Sequence, residues 1–160
     1  MALGDNTLRS AAGNSQRGRN PYMVETTLNW ATALSDKGSA LAAADVVPVI
    51  AVAKGTMILN AGIEVDTATD GSTFTVDLCM VDADVFVDGF DATSAAAVVA
   101  QNPAAYQPVM AVADDNIDVT IATLSGGAVS SGKFRVWAVL MDCTDMGDMA
   151  ANEVDRDTLA

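Results

Sequence analysis

Histidine is absent from the 160-residue sequence. Its absence excludes Ser-His-Asp triads and histidine-ligated zinc or iron, and it removes the most common general base at neutral pH. Carboxylate pairs remain candidates for hydrolytic chemistry, but no pair of Asp or Glu residues stands out from the others. We therefore expect a protein that is not an enzyme and that holds no cofactor.

Basic residues are scarce as well. The sequence has 8 Lys and Arg against 21 Asp and Glu, a formal net charge of −13 at pH 7. Nucleic-acid binders gain most of their affinity from Lys and Arg that neutralise phosphates, so we expect no nucleic-acid partner. No run approaches the ~18 apolar residues of a membrane span, and the N-terminal segment lacks the hydrophobic core of a secretory signal. We therefore expect no membrane partner.

Disulfides and large side chains are both in short supply. Cys79 and Cys143 are the only cysteines and lie in strand-like runs, so we expect two buried free thiols rather than a bridge. Aromatic residues make up 5% of the chain, whereas Ala accounts for 29 residues. Because small side chains bury little apolar surface each, this composition is a first indication that the domain completes its core by self-association.

Charge divides the chain into segments. The first 21 residues are rich in Gly, Asn and Ser and carry three bases against one acid, a net of +2, while the remainder carries 5 bases against 20 acids, a net of −15. So polar a segment cannot fold alone. We predict an extended basic arm over 1–21 that orders on a partner, a β-domain over 22–143 and a polar acidic tail over 144–160. For the arm, the alternative is a disordered, solubilising terminus. The charged residues of the arm are Asp5, Arg9, Arg17 and Arg19.

Strand patterns dominate the predicted β-domain. Alternating apolar residues or β-branched clusters mark six segments: Tyr22–Trp30, Ala44–Val52, Gly55–Thr67, Thr73–Val81, Ile117–Ala122 and Lys133–Asp142. Pro48 lacks an N–H group, which places its strand at a sheet edge or at a bulge. The last segment is apolar on both faces, which predicts a central strand with Phe134 and Trp137 on opposite sides.

Two connections have recognisable chemistry. Asp70-Gly71 separates two strand segments and suits the positive φ angles of a tight turn, so it predicts a β-hairpin. Thr93–Ala100 predicts one short helix with Thr93 or Ser94 as N-cap, and a loop is the equal alternative. About seven or eight strands with at most one short helix indicate an all-β fold, an antiparallel β-sandwich of jelly-roll type.

The densest group of acids lies between Asp82 and Asp91. An EF-hand loop needs oxygen ligands at fixed positions and a final Glu, and this segment does not meet those requirements. One interpretation is a looser cation site, formed by Asp82, Asp84, Asp88 and Asp91. The other is a solvated acidic loop that closes a strand, and we assign no metal.

Three segments together resemble a known group of proteins: the run VVPVIAVAKGT, the strand segment AGIEV and the acidic segment DADVFVDGFDA that follows. In this order, after a short polar arm and a strand near Tyr22, they are similar to the small capsid decoration (cement, or auxiliary head) proteins of tailed bacteriophages, especially those of marine bacteria. The likeness spans Met1–Asp142, and none of its motifs is a catalytic signature.

The resemblance implies a jelly-roll or similar β-sandwich, a trimer, and a place on the outer capsid surface of the virion after assembly in the host cytoplasm. It implies the major capsid protein as partner and puts Arg9, Arg17 and Arg19 in the arm that contacts it. Net negative charge on an outer protein would keep particles soluble and apart. The alternative function is a ligand- or carbohydrate-binding module of a phage fibre or surface protein, and the remaining one is a carboxylate-dependent hydrolase.

Overall fold

A computed structural model describes residues 21–80, 86–100 and 108–143 of the chain. Within these ranges the elements are β1 (Tyr22–Asn29), α1 (Trp30–Lys37), β2 (Val46–Val52), β3 (Thr56–Thr67), β4 (Thr73–Cys79), β5 (Val87–Asp91), β6 (Val98–Ala100), β7 (Val109–Met110), β8 (Asp115–Ser125) and β9 (Lys133–Asp142). The predicted all-β fold with one short helix is confirmed. No helix in the described ranges is long and apolar enough to span a membrane.

The strands form two antiparallel sheets. The five-stranded sheet has the order β1-β9-β3-β6, with the two-residue β7 also paired to β3, and the four-stranded sheet has the order β2-β8-β4-β5. Apart from the short β7, this is the strand order of a jelly roll, in which two Greek keys fold into a sandwich. The predicted β-sandwich of jelly-roll type is confirmed.

The core lies between the two sheets. β4 contributes Phe74, Val76 and Leu78, and β9 contributes Phe134 and Val136, all fully buried. These residues alternate along each strand with side chains that point away from the core, as a strand period of two requires. Each such burial is worth about 1.5–3 kcal/mol of transfer free energy. The predicted alternation of β4 is confirmed, and so is the central position of β9 between β1 and β3.

The helix begins where the sequence predicted the end of the first strand. Trp30 opens α1, and Asn29 caps the helix by accepting a hydrogen bond from the Ala31 N–H at 3.0 Å. Gly38 ends the helix in the left-handed region at φ 68°. Trp30 is fully buried and packs edge-on against Phe74 with 5.0 Å between ring centroids. Because eight residues are too few for a stable isolated helix, this packing holds α1 in place.

The helix predicted over Thr93–Ala100 is wrong. Residues 98–100 form β6 and pair with β3, and Ala96 has φ 61°, a left-handed conformation that does not occur inside an α-helix. The local pattern misled because Val98 and Val99 complete a sheet edge. Their pairing partner, β3, lies far away in the sequence, so local strand propensity cannot reveal this pairing.

The hairpin predicted at Asp70-Gly71 is also wrong. β3 belongs to the five-stranded sheet and β4 to the four-stranded sheet, so this connection carries the chain from one sheet to the other. The Asp70 carboxylate accepts hydrogen bonds from the N–H of Ser130 at 2.9 Å, from the N–H of Ser131 at 3.1 Å and from the Ser130 hydroxyl. Asp70 therefore ties the crossing to the β8–β9 loop.

Pro48 was predicted to lie at a sheet edge or at a bulge, and the structure shows both. β2 is an edge strand of the four-stranded sheet, and its register with β8 shifts between Pro48 and Ile50. A proline and a bulge both discourage the pairing of another strand. This edge is therefore poorly suited to adding a strand from a partner.

Candidate functional site

The predicted acidic cluster is only partly within the described residues. Asp82 and Asp84 lie outside them, while Asp88 and Asp91 are exposed on β5. The Asp91 carboxylate accepts hydrogen bonds from the Thr93 hydroxyl at 2.7 Å and from the Thr93 N–H at 2.9 Å, and these bonds lower the pKa of Asp91. In the part of the chain that the structure describes, no three His, Cys, Asp or Glu side chains form a metal site. The cation site stays a prediction.

The two ends of the β-domain lie at the same end of the five-stranded sheet. Tyr22, the first residue of β1, pairs with Leu140, and β9 ends shortly after Leu140 at Asp142. The segments that precede and follow the domain therefore join it side by side. The arginines predicted to contact a capsid lie outside the described residues; they are Arg9, Arg17 and Arg19.

The outer face of the five-stranded sheet carries large apolar side chains. In β9, the residues that alternate with the core include Trp137, Val139 and Met141, so these three point outward. Strand pairing brings further apolar residues beside them from β1, β3, β6 and β7. We term this surface the apolar face; its members are Met23, Met57, Val98, Met110, Trp137, Val139 and Met141.

Methionines form a row across the apolar face. Met57 of β3 pairs with Met141 of β9 on one side and with Met110 of β7 on the other. Met23 of β1 pairs with Val139. Four of the eight methionines of the chain thus lie on one surface. Because the thioether side chain is flexible and polarisable, such a row adapts readily to an opposing surface.

The indole of Trp137 occupies the space above Gly62, its pairing partner on β3. A Cβ atom at position 62 would stand 2.4 Å from Cζ2 and 2.6 Å from Cε2 of Trp137, and 2.8 Å from the carbonyl oxygen of Val99. Glycine is therefore required here for close approach. Without a side chain at this position, the ring lies low over β3 and gives the apolar face a flat centre.

A charged group borders the apolar face. Arg135 donates from Nε to Oε2 of Glu64 at 2.8 Å, and its Nη2 contacts the same oxygen. Nη1 of Arg135 lies 3.6 Å from Oε2 of Glu25. All three side chains are partly exposed, so each pair contributes only about 0.2–1 kcal/mol to stability. Their main effect is to place both signs of charge beside the apolar residues.

The outer face of the four-stranded sheet is polar and acidic. Asp77 of β4 and Asp118 of β8 lie on it, each flanked in sequence by core residues. Asp77 accepts a hydrogen bond from the Gly89 N–H at 2.7 Å. Burial and the nearby carboxylate of Asp115 raise the pKa of Asp118. Among the large apolar side chains that are exposed in the described residues, only Val46 belongs to this sheet. The two outer faces therefore differ sharply in chemistry.

Both cysteines are free and buried, as predicted. The Cys79 Sγ lies 3.2 Å from the Thr120 hydroxyl and 3.7 Å from the carbonyl oxygen of Asp118. Burial keeps a thiol from reacting readily with partners in solution. We therefore assign Cys79 and Cys143 to packing.

The sequence predicted the orientation of Trp137 but not the apolar face around it. Met57 and Met110 come together only through the pairing of β7 with β3, which no local pattern reveals. One signal was present in the sequence. The segment VWAVLM is apolar at both parities, and a strand covered on only one face needs apolar residues at just one of them.

Comparison with known proteins finds similarity in structure alone. No protein-family model and no curated protein sequence matches the chain. A chain of the Cyanophage Pam1 capsid asymmetric unit matches with a TM-score of 0.64 at 14% identity, over 88% of this chain and 98% of that chain. A chain of the capsid of Ralstonia phage GP4 matches with a TM-score of 0.55 at 15% identity, over 77% and 84%. The protein shares the fold of these phage capsid chains.

Proposed function

We propose that this protein is a structural component of a phage virion that decorates the outer surface of the capsid. It binds the major capsid protein through its basic arm and does so as a trimer. The observation that carries the proposal is the fold shared with the Pam1 capsid chain, over 88% of this chain and 98% of that one. The second neighbour comes from the capsid of a different phage.

The size of the neighbours supports an accessory role. Because 88% of this chain accounts for 98% of the Pam1 chain, that chain is slightly shorter than the present one. The shared fold therefore covers nearly all of that chain. A domain this small suits an addition to a shell, where many repeated weak contacts sum to firm attachment.

The chain ends support attachment through the arm. Residues 1–21 carry a net of +2, three bases against one acid, in a chain whose total is −13. Guanidinium groups form bidentate pairs with carboxylates, so Arg9, Arg17 and Arg19 suit an acidic strip on a capsid protein. The arm joins the β-domain at one end of the five-stranded sheet, beside the end of β9. That end of the domain would face the shell, and the acidic face with Asp77 and Asp118 would remain in solvent.

Co-sedimentation with phage heads that lack this protein tests the proposal. The full chain should pellet with the heads. A chain without residues 1–19 should keep its thermal unfolding midpoint but bind at least about tenfold more weakly, since it loses three charged contacts of about 0.5–1 kcal/mol each or more. The variant Arg9→Ala/Arg17→Ala/Arg19→Ala should behave similarly, whereas Lys54→Ala, which removes a cation from the β-domain, should bind like the wild type.

Three results would contradict the proposal in different ways. A full chain that never pellets with heads removes the capsid role. Unfolding of the chain without residues 1–19 makes the arm part of the core. Selective, saturable binding on a glycan array, without head binding, favours the ligand-binding alternative.

A further inference from the structure

The apolar face is large enough to be an interaction surface. Met23 is 57% exposed, Val98 59% and Met110 37%. Strands about 4.8 Å apart with a rise of about 3.4 Å per residue give this side of the sheet an outline about 20 Å wide and about 20–25 Å high, or roughly 450 Å². The outline also contains Glu25 and Asn60, which pair with Trp137 and Val139. Large apolar side chains that are exposed together on one surface often mark an interaction site. The opposite sheet offers no comparable surface, because Asp77 and Asp118 lie on it.

Charge favours a second copy of the chain as the occupant of this face. The chain carries −13 overall, so two copies that met through the acidic face would bring like charges together. The apolar face instead has Arg135 at its border, bonded to Glu64 and only 3.6 Å from Glu25 in a looser pair. In a contact between copies, Arg135 of one can pair with Glu25 of the other. The border therefore offers both signs of charge to a neighbouring copy.

The position of the chain ends also favours a second copy of the chain at the apolar face. This argument rests on the proposed function. Tyr22 and Asp142 mark the points where the arm and the tail join the domain, at the ends of β1 and β9. A capsid held by the arm therefore lies beyond the strand ends. The apolar face then stands at the side of the domain, where it meets neighbouring copies of the same oligomer.

We infer that copies of this chain associate with one another through the apolar face, with the methionine row and Trp137 at the centre of the contact. The buried area in such a contact, at most about 900 Å² in total from the dimensions above, is below the ~1,200 Å² of stable specific interfaces and is typical of weak, transient contacts. Association in solution is therefore reversible and depends on concentration. On a capsid, arms that hold copies side by side raise their effective concentration and strengthen the contact.

Sedimentation velocity of the full chain, without capsids and from low to high micromolar concentration, tests this inference. Val98→Glu and Val46→Glu are matched variants, because the two valines are 59% and 55% exposed on the outer faces of opposite sheets. The wild type should self-associate. Val98→Glu adds a charge opposite Glu64 and should raise the dissociation constant at least tenfold, whereas Val46→Glu should leave it unchanged.

Thermal unfolding of each variant reports whether it has folded. If Val98→Glu does not fold, Met23→Glu takes its place, because Met23 is equally exposed on β1, at the other edge of the same face. A wild type that stays monomeric at every concentration overturns the inference, and so does equal weakening by the variants on the two sheets. A monomeric wild type that still pellets with heads removes the trimer from the proposed function and leaves capsid binding standing. Conversely, a chain that self-associates but does not bind phage heads contradicts the proposed function and leaves this inference standing.

Discussion

Replacing Gly62 by Ala probes how Trp137 lies on the apolar face. The new Cβ would stand 2.4 Å from Cζ2 of Trp137 and 2.8 Å from the carbonyl oxygen of Val99, so both the indole and β6 must move. Overpacking of this kind costs about 1–3 kcal/mol. Ala is favoured over Gly in a strand by about 0.5–1 kcal/mol, which offsets part of the loss. We expect the free energy of unfolding to fall by about 1–2 kcal/mol, and Tm to fall by about 2–8 °C.

A double-mutant cycle with Trp137→Ala makes this expectation specific. Two of the three close atoms belong to the indole, so Gly62→Ala should cost about 1 kcal/mol less when the ring is absent. Urea unfolding followed by far-UV circular dichroism measures all four proteins without relying on tryptophan fluorescence. An equal cost in both backgrounds, or a stabilised Gly62→Ala protein, would show that Trp137 does not lie over β3. The apolar face would then lose its flat centre.

Two further variants test the pH dependence and the core. The Ser130 hydroxyl and backbone N–H lower the pKa of Asp70 to about 2. Because the folded pKa lies below the unfolded value, the carboxylate stabilises the fold above about pH 4 and this contribution fades toward pH 2. Asp70 is exposed, so solvent screening limits the effect to about 1 kcal/mol or less. Asp70→Asn should lower the urea midpoint at pH 7 and match the wild type near pH 2; an equal deficit at both pH values would contradict this. Trp30→Ala removes a fully buried ring that packs on Phe74 and should cost about 3–5 kcal/mol in the same assay, whereas a loss under about 1 kcal/mol would contradict the packing.

Strands with a clear alternation of apolar and polar residues could be predicted from the sequence. Phe74, Val76 and Leu78 alternate cleanly, and their burial in β4 follows directly from that alternation. β9 could be predicted for a different reason, since apolar residues at both parities indicate a central strand, and β9 lies between β1 and β3. Pro48 indicated an edge because its missing N–H is a local chemical fact.

Features that depend on packing or strand partners distant in the sequence could not be predicted. Trp30 continues the alternation of β1, yet its burial against Phe74 turns the chain into a helix. Asp70-Gly71 has the composition of a hairpin, but β3 finds its partners in β9, β6 and β7 rather than in β4. The methionine row of the apolar face likewise exists only after β7 has paired with β3. Sequence-local energies of a few tenths of a kcal/mol are easily outweighed by such long-range packing.

A cryo-electron microscopy reconstruction of phage heads saturated with the full chain tests the central claim most directly. We predict one jelly-roll density per copy on the outer surface, with the arm against the major capsid protein and the apolar face turned toward a neighbouring copy. The acidic face that carries Asp77 and Asp118 should point to solvent. Heads that show no additional density after exposure to saturating protein would contradict the claim that this chain is a capsid decoration protein.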